Sequence, residues 1–177
     1  MFLHPKMDPL LFLFVLLVAL FPISESQLDG EPELIARGFI SSDLQDAVND
    51  MRAKSYYGFA ILLQMVNGSA QQNRPLTFFM PADSQLSESP ISVQHLEEFM
   101  TSHAIPMPLS FNDLLHFPTG SLVPTGVDNK MIRINNRGRT SFYVSNAHIV
   151  TPNICNGTSF RCHGIDAVIQ FGNVTAT

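Results

Sequence analysis

The sequence predicts an α+β domain behind a cleavable secretory leader. Three observations carry this. An unbroken apolar run stands at Leu10–Phe21, apolar residues then recur at helical spacing as far as Met100, and short β-type runs take over after Ser121. Helices grouped ahead of strands argue for α+β rather than for alternating units around a parallel sheet.

The leader comes first. Lys6 gives a weakly basic start, Leu10–Phe21 contains no polar residue, and Pro22 ends the run ahead of Ser24-Glu25-Ser26. Small residues at Ser24 and Ser26 suit signal peptidase and place cleavage before Gln27. The apolar run is about a dozen residues long, whereas a spanning helix needs ~20. The alternative, a signal anchor that stays in the membrane, has the helix-breaking Pro22 and the polar residues after it against it. No later segment could span a bilayer, and no hydrophobic tail of a lipid-anchor signal is present. The mature chain is expected to be released, with no membrane anchor.

Residues 1–26 read as signal peptide, 27–39 as a polar leader, 40–172 as the folded domain and 173–177 as a short tail. Ser41-Ser42-Asp43 reads as a helix N-cap region, followed by Leu44, Ala47, Val48 and Met51 at helical spacing. Tyr56–Val66 gives a second helix with Phe59, Leu62, Leu63 and Val66 inward, stopped by Asn67-Gly68. Leu76–Phe79 is a short buried strand ended by Pro81. A helix from Ser92 turns Val93, Leu96, Phe99 and Met100 inward and Glu97 and Glu98 outward, and Phe111–Phe117 is a helical turn. Met131–Ile134, Ser141–Val144, His148–Val150 and Ile165–Phe171 are strand candidates.

Removing the leader takes Lys6, Asp8 and Glu25 and leaves 9 basic against 13 acidic residues, a net charge of −4. That disfavours nucleic acid as a partner. Lys130, Arg133, Arg137 and Arg139 form a local basic stretch, read either as a solvated hairpin turning at Asn136–Gly138 or as a contact for an anion or acidic polysaccharide. The only cysteines, Cys155 and Cys162, are expected to pair in an oxidising compartment. The short loop they close makes the bond worth about 2–3 kcal/mol. The spacing lacks the ligand sets of a zinc site, and no metal or cofactor is expected. Sequons stand at Asn67, Asn156 and Asn173, and the second implies that the disulfide loop is exposed.

The order of elements and three segments resemble the fasciclin-type (FAS1) domain. Thr77-Phe78-Phe79-Met80-Pro81-Ala82-Asp83 is similar to the family's Thr-x-Phe-x-Pro-x-Asp strand and turn, with Thr77, Phe79, Pro81 and Asp83 as matching positions. Leu96, His103, Pro106 and Asp113-Leu114 fall as in its central helix and His-containing loop. His163-Gly164-Ile165-Asp166-Ala167-Val168-Ile169 resembles its closing strand, with His163 and Asp166 matching. The resemblance spans roughly residues 40–171 and is greatest to plant fasciclin-like proteins. It implies a FAS1 fold, a β-sandwich-like wedge with several packed helices. It also implies a non-catalytic extracellular role in adhesion, with a cell-wall or matrix polysaccharide or protein as partner. Ala82 replaces the family's threonine and Gly164 a β-branched residue. Clustered Ala-Pro, Ser-Pro or Thr-Pro of arabinogalactan regions is missing, and so is the Asp-Ile pair through which animal relatives bind integrins.

Residues that could serve catalysis are few. His103, His163, Asp83, Asp113 and Asp166 lack a nucleophile elbow or a His-Glu-x-x-His site around them. The structural reading makes Asp83 a turn-closing residue and the histidines partners of buried carbonyls. A secreted carbohydrate- or small-ligand-binding protein is the alternative function, and a cryptic hydrolase the third. Exposed patches for binding are sought in the Pro106–Phe117 loop and in the Arg133–Arg139 hairpin, between which the sequence does not choose.

Overall fold

The strand Leu76–Pro81 (β1) is buried along its whole length, and the sheet is organised around it. In a computed structural model, residues 31–66 and 74–171 are described, with the side chains of the first helix described from Ser42 onward. The signal-peptide assignment and the sequons at Asn67 and Asn173 lie outside these residues. The chain divides into a unit ending at Pro32, almost wholly outside the described residues, and a unit beginning at Glu33 that holds the sheet and both cores.

Seven strands form one sheet in the order β2-β1-β7-β6-β5-β4-β3. After β1 come Ala104–Ile105 (β2), Leu122–Pro124 (β3), Met131–Asn136 (β4), Phe142–Val144 (β5), Ala147–Asn156 (β6) and Phe160–Ile165 (β7). β1 runs parallel to β7, and all other neighbours are antiparallel. A strand covered on both faces reads as a near-continuous apolar run, which is what Leu76-Thr77-Phe78-Phe79-Met80 is. Phe78 and Met80 enter one core and Phe79 the other.

Four helices cover the first core: Glu31–Ala53 (α1), Tyr57–Met65 (α2), Asp83–Ser87 (α3) and Leu96–Ser102 (α4). Leu44, Ala47, Val48 and Met51 of α1 are buried, as their spacing predicts, beside Phe59 and Leu63 of α2. The second core lies between the hairpins of β3–β6 and the short helix Phe111–Leu114 (α5). The two halves of the sheet are separated by register shifts in β6 between Ile149 and Cys155. Asn153, with φ of 55°, lies in that irregular stretch.

Three local expectations change. The first helix starts at Glu31, so Ser41-Ser42-Asp43 lies inside it and part of the polar leader is helical; Pro32 in the first turn fits a helix start. Val93 points to solvent at 77 % exposure, because Val93–His95 is a tight 3-10 turn ahead of α4. The last strand ends at Ile165, and residues 166–171 are not a strand. Their backbone groups are met by side chains instead. Asn146 bonds Val168 O and Gln170 N, and His103 Nε2 accepts from Ile169 N. No helix among the described residues is long and apolar enough to cross a membrane.

Candidate functional site

Thr77 and His163, 86 positions apart in the chain, converge on the loop after β2. The Thr77 hydroxyl donates to Met107 O at 2.6 Å and accepts from Leu109 N at 2.6 Å. His163 Nδ1 accepts from Asn153 N at 3.1 Å, so its proton is on Nε2, which donates to Leu109 O at 3.0 Å. Asn153 Oδ1 accepts from Phe111 N at 2.8 Å, and Ser110 with Asp113 forms a capping box on α5. The loop is thus fixed from three sides. Of its apolar residues, Phe111 is buried and Leu109 packs on the second core, leaving Met107 and Pro108 exposed.

The other motif residues serve the same end. Phe79 stacks on His163 with ring centroids 5.8 Å apart. Pro81 closes β1. Asp83 accepts from Gly58 N at 2.9 Å, which satisfies one of the unpaired amides in the first turn of α2. Asp166 accepts from His148 N at 2.7 Å and donates its own N–H to His148 O, tying the β6–β7 pair beyond the last ladder bond. His103 accepts from Ile169 N through Nε2, which leaves its Nδ1 proton for Phe99 O at 2.9 Å.

Both histidines are neutral. Burial is the main cause, and each has its pKa lowered from 6.5 to about 4 against the opposing effect of the carbonyl it bonds. With both ring nitrogens of each engaged, neither is poised as a general base. Among the described residues no three His, Cys, Asp or Glu side chains are grouped to hold a metal ion.

The basic stretch takes the hairpin form. Arg133 projects from β4 and Arg137 and Arg139 flank Gly138, whose φ of 98° makes the turn. All three arginines are exposed, and Arg139 bonds Asn112 of α5. Cys155 and Cys162 are joined across β6–β7, and Asn156 is exposed beside them.

Two surface features escaped the sequence. Tyr57, Ile61 and Met65, four apart on α2, are each more than half exposed and form an apolar stripe opposite the buried Phe59 and Leu63. The signal was present, because Tyr56–Val66 is apolar all round rather than on one face. A groove of about 370 Å³ opens beside α4, lined by Ile91, Phe99, Lys130, Val168 and Phe171 among others. At its rim Lys130 Nζ is 2.8 Å from Glu98 and 5.2 Å from the centre of the Phe171 ring. The hydrogen bond from Lys130 and its charge hold the Glu98 carboxyl below the usual carboxylate range.

The fasciclin domain family model matches residues 54–171, well over half of the chain. The chain belongs to the fasciclin domain family. Its FAS1 domain is similar to fasciclin-like arabinogalactan protein 21 of Arabidopsis thaliana, with 29% identity over 144 residues covering 77% of this chain and 40% of that protein. In structure it resembles a FAS1 domain pair from the insect cell adhesion molecule fasciclin I, with a TM-score of 0.53 and 21% identity over 65% of this chain and 45% of that one. The chain therefore spans less than half the length of either relative.

Of the two departures from the FAS1 pattern, the fold gives a reason for Gly164 and none for Ala82. Ala82 is the N-cap of α3 and offers that helix no side-chain bond. At Gly164 an added Cβ would lie 1.8 Å from the Tyr56 hydroxyl, so the phenol fills the space that a branched side chain would need.

Proposed function

We propose that this is a secreted, non-catalytic FAS1 module that mediates cell adhesion or contact with extracellular matrix or cell wall. One observation carries the reading. Thr77, Asp83, His103, His163 and Asp166 each bond backbone groups of the domain itself. A constellation so engaged builds a scaffold, and function then falls to the surface.

The extracellular assignment is supported by the leader, by the disulfide and by an exposed sequon at the tip of a hairpin. The name of the plant relative points the same way. The partner is a polysaccharide or protein of the matrix or wall. The arginine hairpin and the apolar stripe on α2 are the surfaces offered to it. A second reading, binding of a carbohydrate or small ligand, is favoured by the groove that places the Phe99 and Phe171 side chains beside the Lys130–Glu98 pair. Aromatic side chains next to polar groups suit a sugar ring.

The test is a pull-down of the secreted, glycosylated protein against cell-wall and matrix extracts, with polysaccharide arrays alongside. Retention lost on Arg133/Arg137/Arg139→Ala assigns the hairpin, and retention lost on Phe171→Ala assigns the groove. Protein that stays inside cells would sink the secreted reading. Turnover of generic ester or glycoside substrates that disappears in His163→Gln would sink the non-catalytic one.

A further inference from the structure

The sequon Asn156-Gly157-Thr158 occupies the tip of the β6–β7 hairpin, and the folded chain holds both of its functional residues, Asn156 and Thr158. Asn156 is a ladder residue, opposite Arg161 in the antiparallel register. Its neighbour Cys155 is joined to Cys162 one rung further in. The Thr158 hydroxyl donates to Asp43 Oδ2 of α1 at 2.6 Å, and Ser159 N donates to the same oxygen at 3.0 Å. These two bonds hold the Asp43 carboxyl below its ordinary range, the Thr158 bond contributing most.

The two side chains also serve opposite faces. Asn156 pairs with Arg161, which shares its strand face with Ile165 of the second core, because alternate residues of a strand share a face. Thr158 is bonded to α1, which covers the first core with Cys155 and Cys162.

Transfer of an N-linked glycan needs the asparagine carboxamide and the threonine hydroxyl presented together to one enzyme, on a chain free to bend into its site. Asn156 Nδ2 forms a bond to C1 of the donor sugar. The C1–O bond to a lipid diphosphate breaks, the diphosphate leaves with the electron pair, and the amide proton passes to a base of the transferase. None of this is open to a hairpin tip stapled at Cys155–Cys162 and clasped by Asp43. Asn156 itself is exposed, so a glycan added earlier meets no obstacle in the finished fold.

We propose that Asn156 is an N-glycosylation site that accepts its glycan only before the Cys155–Cys162 bond closes and α1 docks, and that the Asp43–Thr158 clasp shuts the sequon afterwards. This rests on the secreted reading for its setting in the cell. The hairpin is a kinetic branch point: a chain that folds first leaves Asn156 bare for good.

The test is an acceptor assay with purified oligosaccharyltransferase and a lipid-diphosphate-linked oligosaccharide donor, read by glycopeptide mass spectrometry at Asn156. The acceptors are the full mature chain made without glycan and oxidised, the same chain reduced and unfolded, and oxidised Asp43→Ala. Asp43→Leu serves as a second variant, of similar size and without an acceptor for Thr158 and Ser159, and circular dichroism checks the fold of each. Initial transfer to the reduced chain is expected to be at least tenfold faster than to the oxidised chain. The oxidised Asp43 variants are expected at threefold or more above the oxidised parent. A difference below tenfold between the first two, or no transfer to Asn156 in either, overturns the proposal. Oxidised variants no faster than the parent remove the clasp from it. Export is not part of this assay, so a chain retained in cells would fail the secreted reading alone.

Discussion

Gly164→Ala is expected to destabilise the domain although glycine is not required there by the backbone. Gly164 lies in β7 at an ordinary negative φ, so no left-handed strain arises. The obstacle is packing. An alanine Cβ would stand 1.8 Å from Tyr56 Oη, 2.5 Å from Tyr56 Cζ and 3.2 Å from Thr151 Cβ. Clearing these contacts means moving the phenol by roughly an ångström or more in an interior packed at crystal density. Tyr56 is only 7 % exposed and belongs to the first core, so it has little room to yield. Overpacking of this kind costs about 1–3 kcal/mol. Displacing the hydroxyl also breaks its 3.3 Å bond to Thr151, worth about 0.5–1.5 kcal/mol. The sum is about 1.5–4.5 kcal/mol, measured by urea unfolding followed by far-ultraviolet circular dichroism. Tyr56→Leu removes the obstacle at its own cost, and Gly164→Ala in that background should add less than about 0.5 kcal/mol, giving a coupling above ~1 kcal/mol. Additive single effects, or a Gly164→Ala protein as stable as its parent, would refute the packing argument.

Three further outcomes follow from the same contacts. His103 and His163 have folded pKa values of about 4 against 6.5 for the free side chain, so unfolding takes up protons below pH 6.5. Their contribution to stability is whole above that pH and is lost as pH falls toward 4, on the order of 3 kcal/mol for each histidine; urea midpoints across that range should fall, and His163→Gln should remove about half the slope. Ala82→Thr supplies the missing cap on α3 and should raise stability by about 0.5–2 kcal/mol, read as a higher urea midpoint at unchanged slope. Reduction of Cys155–Cys162 should lower stability by about 2–3 kcal/mol in the same assay with and without dithiothreitol.

What could be read beforehand was what repeats locally. The buried faces of α1 and α4 follow from residues three and four apart, such as Leu44, Ala47, Val48 and Met51. The identity of β1 follows from its near-continuous apolar run. The motif positions Thr77, Asp83, His103, His163 and Asp166 were visible as important, but not as pins for particular loops. Their partners Met107, Gly58, Ile169, Leu109 and His148 are mostly far along the chain. The same distance hid Tyr56 against Gly164 and Asp43 against Thr158, where neither residue signals the other. The misplaced final strand has a different cause. Val168 and Ile169 carry strand propensity, but Asn146 and His103 offer their backbone a better-placed set of partners.

The parallel pairing of β1 with β7 sets the order in which the domain can be born. Leu76–Pro81 leaves the ribosome more than eighty residues before Phe160–Ile165, its principal neighbour. Until then a strand that is apolar on both faces has only the two-residue β2 to lie against. The chain must carry that unpaired edge through nearly half of its synthesis, a span of several seconds at ordinary elongation rates of ~5–20 residues per second. A sheet closed by its last strand completes late and all at once, because long-range strand pairing contributes nothing until the intervening loop is spent. A folding catalyst or holding chaperone recruited during that interval would bind Leu76–Met80, the segment that the finished domain hides most completely.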